Sequence, residues 1–269
     1  MNFSGKGIIV TGSNSGIGRA TALLFARQGA NVLIHGRDLE TLEQTVNECK
    51  QLGAENAKFP MVQGDVLETG LLKKIFQTAV EEFGKIDVLV NNVGCVQSDR
   101  TEESFDLHIN VNLKTPIFLS QMCFPELKKT HGNIVNVSSV YAERPNAVGV
   151  LFYSIAKAGV SQFTRCAGIE YGSEGVRVNA VSPGWVKTKV MTRTGLFKTK
   201  DEEDAEYERS TKQVPLPADK RIGTAEETAK LIAFLASDDA SMMNGACIVQ
   251  DGGMSLVGID TKTIEKYNN

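Results

Sequence analysis

The chain has 269 residues, 42% of them hydrophobic and 23% charged, with a formal net charge of −3. A chain of this length buries roughly three quarters of the surface its unfolded form exposes, so it needs no covalent or metal staple. Its slight acidity lacks the basic surplus that nucleic acid or anionic lipid attracts, and no run approaches the ~20 apolar residues of a membrane span. The opening MNFSGKGIIVTGS is not laid out as a signal peptide. The five cysteines (Cys49, Cys95, Cys123, Cys166 and Cys247) are odd in number and scattered, with no C-x-x-C pair or His/Cys cluster. Neither a disulfide framework nor a metal site is expected, and reduced thiols imply a cytoplasmic location.

In chain order, strands are predicted at Gly7–Thr11, Asn31–His35, Lys58–Gln63, Ile86–Asn91, Asn133–Ser138, Val176–Val181 and Ala246–Gln250, each brief and rich in Val and Ile. Amphipathic helices are predicted between them, such as Ile17–Gln28, Asp38–Gln51, Glu68–Phe83 and Thr224–Ala236, with Asp38 as an N-cap and Gly29, Gly53 and Gly84 at the stops. This alternation implies an α/β chain built on a parallel sheet covered on both faces, in one domain without linker or repeat. Lys189–Ile222 is the least regular stretch and carries the acidic run Asp201–Glu208 before Pro215 and Pro217. It reads as a solvated helix plus loop or as a mobile lid over a site.

Two local patterns carry chemistry. The first strand runs into Thr11-Gly12-Ser13-Asn14-Ser15-Gly16-Ile17-Gly18, where glycines permit a tight turn and close backbone approach to a pyrophosphate at a helix N-terminus. The spacing is G-x-x-x-G-x-G, not G-x-G-x-x-G, so the position after the first strand carries the argument for a nucleotide site. Further on, Tyr153 and Lys157 lie one helical turn apart on one face. An ammonium near a phenol favours the phenolate and lowers a pKa that is ordinarily about 10, which suits tyrosine to acid–base work. Taken alone, Tyr-x-x-x-Lys is a weak signal.

Together these features resemble the short-chain dehydrogenase/reductase family, from about residue 3 to 255. TGSNSGIG at 11–18 is similar to its cofactor turn, and Asn91-Asn92-Val93-Gly94 resembles its NNAG motif with Val93 in place of Ala. Asn112, Ser139, Tyr153 and Lys157 fall where the family keeps its catalytic set; Ser182-Pro183-Gly184 through Thr188, and Asp251-Gly252-Gly253, also match. The resemblance implies a Rossmann-like, doubly wound parallel sheet of about seven strands. It implies an oxidoreductase that moves a hydride between a nicotinamide and a carbonyl/alcohol pair. Tyr153 would transfer the proton, Ser139 would hold the carbonyl oxygen, Lys157 would lower the Tyr153 pKa and hold the ribose, and Asn112 would place a water leading to solvent. Ser138 competes with Ser139, and Asn110 with Asn112, because each pair is close in sequence. Asn112 lies four residues before Pro116 in a helical stretch, so a kink or π-bulge is expected there.

Cofactor contacts implied in the same way are Gly12, Ser13, Asn14, Ser15, Gly16, Ile17, Gly18, Asp65, Val66, Asn92, Gly94, Tyr153, Lys157, Pro183, Gly184, Val186 and Thr188. Asp38 lies 20 residues past Gly18, which by counting alone suggests NAD. Gly36 nonetheless ends the second strand where related NAD enzymes place an acid, and Arg37 follows, so NADP(H) is favoured with NAD as the runner-up. Apolar residues near the motifs (Cys95, Val96, Val148, Val150, Leu151, Trp185, Val190 and Met191) suggest an apolar or mixed small-molecule carbonyl substrate. Relatives assemble as tetramers or dimers, so a homotetramer is expected, with no nucleic-acid or membrane partner; the tail Met254–Asn269 lies beyond the resemblance. The rival reading is a non-catalytic NADP(H)-binding sensor on the same fold, which should have lost Tyr153, Lys157 or Ser139.

Overall fold

A computed structural model of the chain describes residues 1–144, 149–188, 199–211, 214–215 and 221–256. Among them, seven strands form one sheet: β1 Gly7–Val10, β2 Asn31–Gly36, β3 Met61–Gln63, β4 Val88–Asn91, β5 Asn133–Val137, β6 Arg177–Pro183 and β7 Cys247–Gln250. Their order is β3-β2-β1-β4-β5-β6-β7 and every pairing is parallel. Parallel strands need crossovers, and the described α-helices are α1 Gly16–Arg27, α2 Leu39–Leu52, α3 Leu71–Phe83, α4 Glu102–His108, α5 Thr115–Thr130, α6 Leu151–Gly172, α7 Lys200–Thr211 and α8 Ala225–Ala236. The doubly wound α/β architecture expected from the sequence is therefore the one found.

The strand pleat decides which helix covers which face. Ile8 and Val10 of β1 point into one core with Phe25 of α1, Leu42 of α2 and Ile232 of α8. Ile9, between them, points the other way, into a core with Ile75 of α3, Leu119 and Leu127 of α5 and Tyr171 of α6. Burial on both faces explains why the strands read as continuous apolar runs.

Helix starts follow their side chains. The Asp38 carboxylate accepts from Thr41 N at 2.8 Å, and Thr224 with Glu227 forms a reciprocal capping box on α8. The third strand is shorter than Lys58–Gln63. Lys58 and Pro60 offer their carbonyls to Val32 N and Ile34 N at 2.9 Å, but Pro60 has no N–H to return. Between α4 and α5, Ile109–Lys114 is a π-helix in which Thr115 N bonds to Asn110 O, one residue beyond the α register. Pro116 cannot donate to the Asn112 carbonyl four residues back, so the ladder slips there, as the sequence led us to expect. No described helix is long and apolar enough to cross a membrane.

Candidate active site

Chain order reverses between β1 and β4, and a cavity of about 610 Å³ opens at the C-terminal ends of the strands on either side. One half is walled by Gly12, Asn14, Ser15, Gly16 and Ile17 from the turn before α1, with Gly36, Arg37 and Asp38 beyond β2 and Asp65 and Val66 beyond β3. Gly12 has φ +64°, in the left-handed region that favours glycine. A Cβ at Gly18 would overlap the Gly12 carbonyl oxygen, so the first turn of α1 closes onto the preceding loop only with glycine there. Ser13 and Gly18 hold the turn without reaching the cavity wall, Ser13 Oγ donating to Val10 O at 2.7 Å. Asn92 lines the cavity, but its amide is committed to the turn, donating to Thr11 O at 2.9 Å and Gly12 O at 3.1 Å. Arg37 is 70% exposed and pairs with the Asp65 carboxylate at 3.1 Å.

The other half is lined by Gly94, Cys95, Val96, Ser138, Ser139, Tyr153, Lys157, Pro183, Gly184, Trp185, Val186 and Thr188. The Ser139 hydroxyl is hydrogen-bonded to the Tyr153 phenol and accepts from Tyr141 N at 3.2 Å. Ser138 is tied up in the wall instead: its Oγ meets Lys157 O at 3.1 Å and Ser161 Oγ at 3.0 Å. The buried Lys157 ammonium donates to Val137 O at 2.7 Å and lies 5.7 Å from the Tyr153 ring centroid. Asn112 reaches Cys95 from the π-helix and, like Asn110, does not line the cavity. Its amide pairs with the Cys95 backbone in both directions at 2.9 Å, behind the cavity wall. The space above Gly94 is shared, since a Cβ there would lie 3.0 Å from Asn112 Oδ1 and 3.6 Å from Lys157 Nζ.

Burial dominates the electrostatics of this half. It pushes the Tyr153 phenol up to about 12, with the Ser139 hydrogen bond pulling the other way, and pushes Lys157 down to about 8. The expectation that Lys157 draws Tyr153 below its ordinary range is thus corrected: desolvation acts on both partners, and no contact joins Nζ to the phenol oxygen. The Cys95 thiol is raised by burial to about 11 and stays protonated near neutrality.

Residues 11–255 match a family model described as enoyl-(acyl carrier protein) reductase. The chain is 36% identical over 261 residues to a 3-oxoacyl-(acyl-carrier-protein) reductase of Thermotoga maritima, covering 95% of this chain and all of that one. A crystal structure of a short-chain dehydrogenase/reductase of unknown function from Caenorhabditis elegans, with cofactor, superposes with a TM-score of 0.89 at 37% identity, covering 97% and 98% of the two chains. A short-chain dehydrogenase from Burkholderia cenocepacia in complex with NADP gives 0.83 at 26% identity, covering 94% and 99%. The chain belongs to the short-chain dehydrogenase/reductase family. It is an oxidoreductase by family, and small molecules are the substrates that family implies.

Within this family member, Val150 and Trp185 join Cys95 and Val96 on the wall, whereas Leu151 is 41% exposed at the start of α6 and lies off it. Val148, Val190 and Met191 lie outside the described residues. The wall also includes Gln97, Leu107, Val111, Val137, Tyr141 and His35, none of which the sequence singled out. Only His35 left a trace there, as a polar residue directly after the apolar run Val32-Leu33-Ile34. A further unanticipated contact comes from Tyr207 on α7. Its hydroxyl accepts from Thr188 N at 3.1 Å and donates to Thr188 O at 2.6 Å, while its ring lies edge-on to Trp185.

Proposed function

We propose that this protein transfers a hydride between NADP(H) and a carbonyl/secondary-alcohol pair, with Tyr153 as the proton-transfer group. The carrying observation is that the Tyr153–Ser139 pair and the glycine turn line one continuous cavity. The cradle fits a dinucleotide: Gly12 and Gly16 keep side chains off the backbone of the turn, and Gly36 could carry no Cβ without striking Asn14. Gly12, Asn14, Ser15, Gly16 and Ile17 would hold the pyrophosphate, Asp65 and Val66 the adenine, and Lys157 the nicotinamide ribose. A bound nicotinamide supplies or accepts the hydride.

The protein's own groups do the rest. Ser139 orients the oxygen that gains charge, and a phenol still protonated at neutral pH donates to it. NADP(H) is favoured because β2 ends on Gly36, with no carboxylate to repel a 2′-phosphate, and Arg37 offers a guanidinium to it. The NADP complex of the Burkholderia relative supports this choice, and the oxoacyl substrate named for the Thermotoga relative supports carbonyl reduction. Val96, Val150 and Trp185 make the substrate side predominantly apolar. Monitoring NADPH absorbance across a panel of apolar ketones and β-keto esters tests the reading. We expect turnover with at least one; tight NADPH binding without any turnover would favour the sensor.

We also infer that α7 is part of a lid, with residues 189–198, 212–213 and 216–220 outside the described residues. The helix is strongly acidic, yet Tyr207 is buried with Val140, Ile222 and Met254, and Val140 directly follows Ser139. Thr188 in turn touches the glycine turn, since a Cβ at Gly16 would come 3.1 Å from Thr188 Cγ2. Tyr207→Phe keeps the ring and removes both bonds to Thr188. We expect it to raise the KM for cofactor by about 3- to 10-fold, the net worth of one or two hydrogen bonds, with a smaller effect on kcat. Unchanged steady-state KM values would remove the latch.

A further inference from the structure

Three side chains of β2, Val32, Leu33 and Ile34, are fully buried and apolar; the fourth in that row is His35, 1% exposed. Its ring bridges two loops. Gly12 N donates to Nδ1 at 3.2 Å, and Nε2 lies 3.2 Å from Gly64 O. An amide N–H can only donate and a carbonyl only accept, so the ring must carry its proton on Nε2 and a lone pair on Nδ1. The His35 backbone clasps the same turn, accepting from Ser13 N at 2.8 Å and donating to Ser13 Oγ at 2.9 Å. Gly64 precedes Asp65, the carboxylate that holds Arg37.

We propose that His35 is a positioning residue that joins the glycine turn to the loop after β3 in one neutral tautomer and thereby sets dinucleotide affinity. This rests on the cavity being a dinucleotide site. One side chain registers the expected pyrophosphate wall at Gly12 against the expected adenine wall at Asp65 and Val66. The charged groups around the ring are Arg37, from the end of its own strand, and Asp65 and Glu68, from the loop after β3; residues 11–18 carry none. Burial outweighs these neighbours and holds the imidazole down to about 4, so the neutral ring persists at ordinary pH. Protonation would turn Nδ1 into a donor aimed at the Gly12 N–H, with no acceptor between them.

Two variants separate the two bonds. His35→Asn keeps an acceptor where Nδ1 stands and loses the reach to Gly64; His35→Gln keeps a donor near Nε2 and loses the acceptor for Gly12. Titration calorimetry with NADP⁺ reads binding without catalysis. We expect Kd within about threefold of wild type for His35→Asn and weaker by about tenfold or more for His35→Gln, as loss of a buried acceptor implies. From pH 5.5 to 3.5, across the ring's own titration near 4, wild-type affinity should fall more steeply than that of His35→Asn, because only wild type carries the titrating ring; a merely structural histidine would give parallel profiles. If His35→Gln does not fold, the comparison of wild type with His35→Asn decides. Tight wild-type binding with His35→Gln unchanged, or with parallel pH profiles, overturns the assignment alone. Wild type that binds neither NADP⁺ nor NAD⁺ overturns the dinucleotide reading, and this assignment with it.

Discussion

Tyr153→Phe is expected to lower kcat by about 10²- to 10⁴-fold while leaving the Kd for NADPH within a few-fold, the range that positioned general acids contribute. Phenylalanine keeps the ring on α6 and removes the hydroxyl that meets Ser139 at the cavity. Ser139 and Lys157 remain in place, so a partial effect would indicate that another group donates the proton. The pH dependence follows from the half-buried Tyr153 and the buried Lys157. With Tyr153 near 12, the donor form persists through the neutral range; with Lys157 near 8, its positive charge is lost as pH rises past that value. Reduction should therefore hold steady below about pH 8 and decline above it, as the positive charge 5.7 Å from the Tyr153 ring disappears. Stopped-flow single-turnover rates across pH isolate this step from product release. A variant retaining more than a tenth of wild-type turnover would be incompatible with Tyr153 as the proton donor.

Arg37→Asp should lower kcat/KM for NADP(H) by about 10²-fold and change that for NAD(H) by no more than a few-fold. The guanidinium is well exposed, so the attraction it supplies is screened, and much of the loss comes from placing a carboxylate against a 2′-phosphate. Asp65, which now pairs with Arg37, would face a second carboxylate in the variant. Arg37→Gln controls for that, losing the attraction without adding repulsion, and should fall between the two. Equal losses with both cofactors would mean that Arg37 supports the loops and does not choose the cofactor.

What could be read from the sequence followed from local physics. The apolar runs gave the strands, Asp38 capped where its side chain predicts, and Pro116 forced the π-turn beneath Asn112. What local physics alone could not decide depended on facing and burial. Ser138 and Ser139 are consecutive, and a one-residue step along an extended chain reverses the side chain, so only the assembled sheet decides that Ser139 meets Tyr153 while Ser138 turns to Ser161. The Tyr153–Lys157 spacing conveyed proximity but not desolvation, which outweighs it here. His35 and Tyr207 act through backbone groups of Gly12 and Thr188, and no side-chain motif advertises a backbone partner.

The position of β1, inside the sheet between β2 and β4, also bears on how the chain comes to exist. Its neighbour on one side, β2, follows within 24 residues, Gly7 pairing with Asn31, but on the other side Ile8 waits for Val88. At ribosomal elongation rates of about 5–20 residues per second, one edge of this fully buried strand stays unpaired for roughly 4–16 s of synthesis. The walls of the cleft belong to segments on opposite sides of that gap, so the cleft cannot form until the long-range pairing closes. The nascent chain's most aggregation-prone edge and its functional cleft thus share a single folding event, and a substitution that delays β4 docking would reduce yield before it touched catalysis.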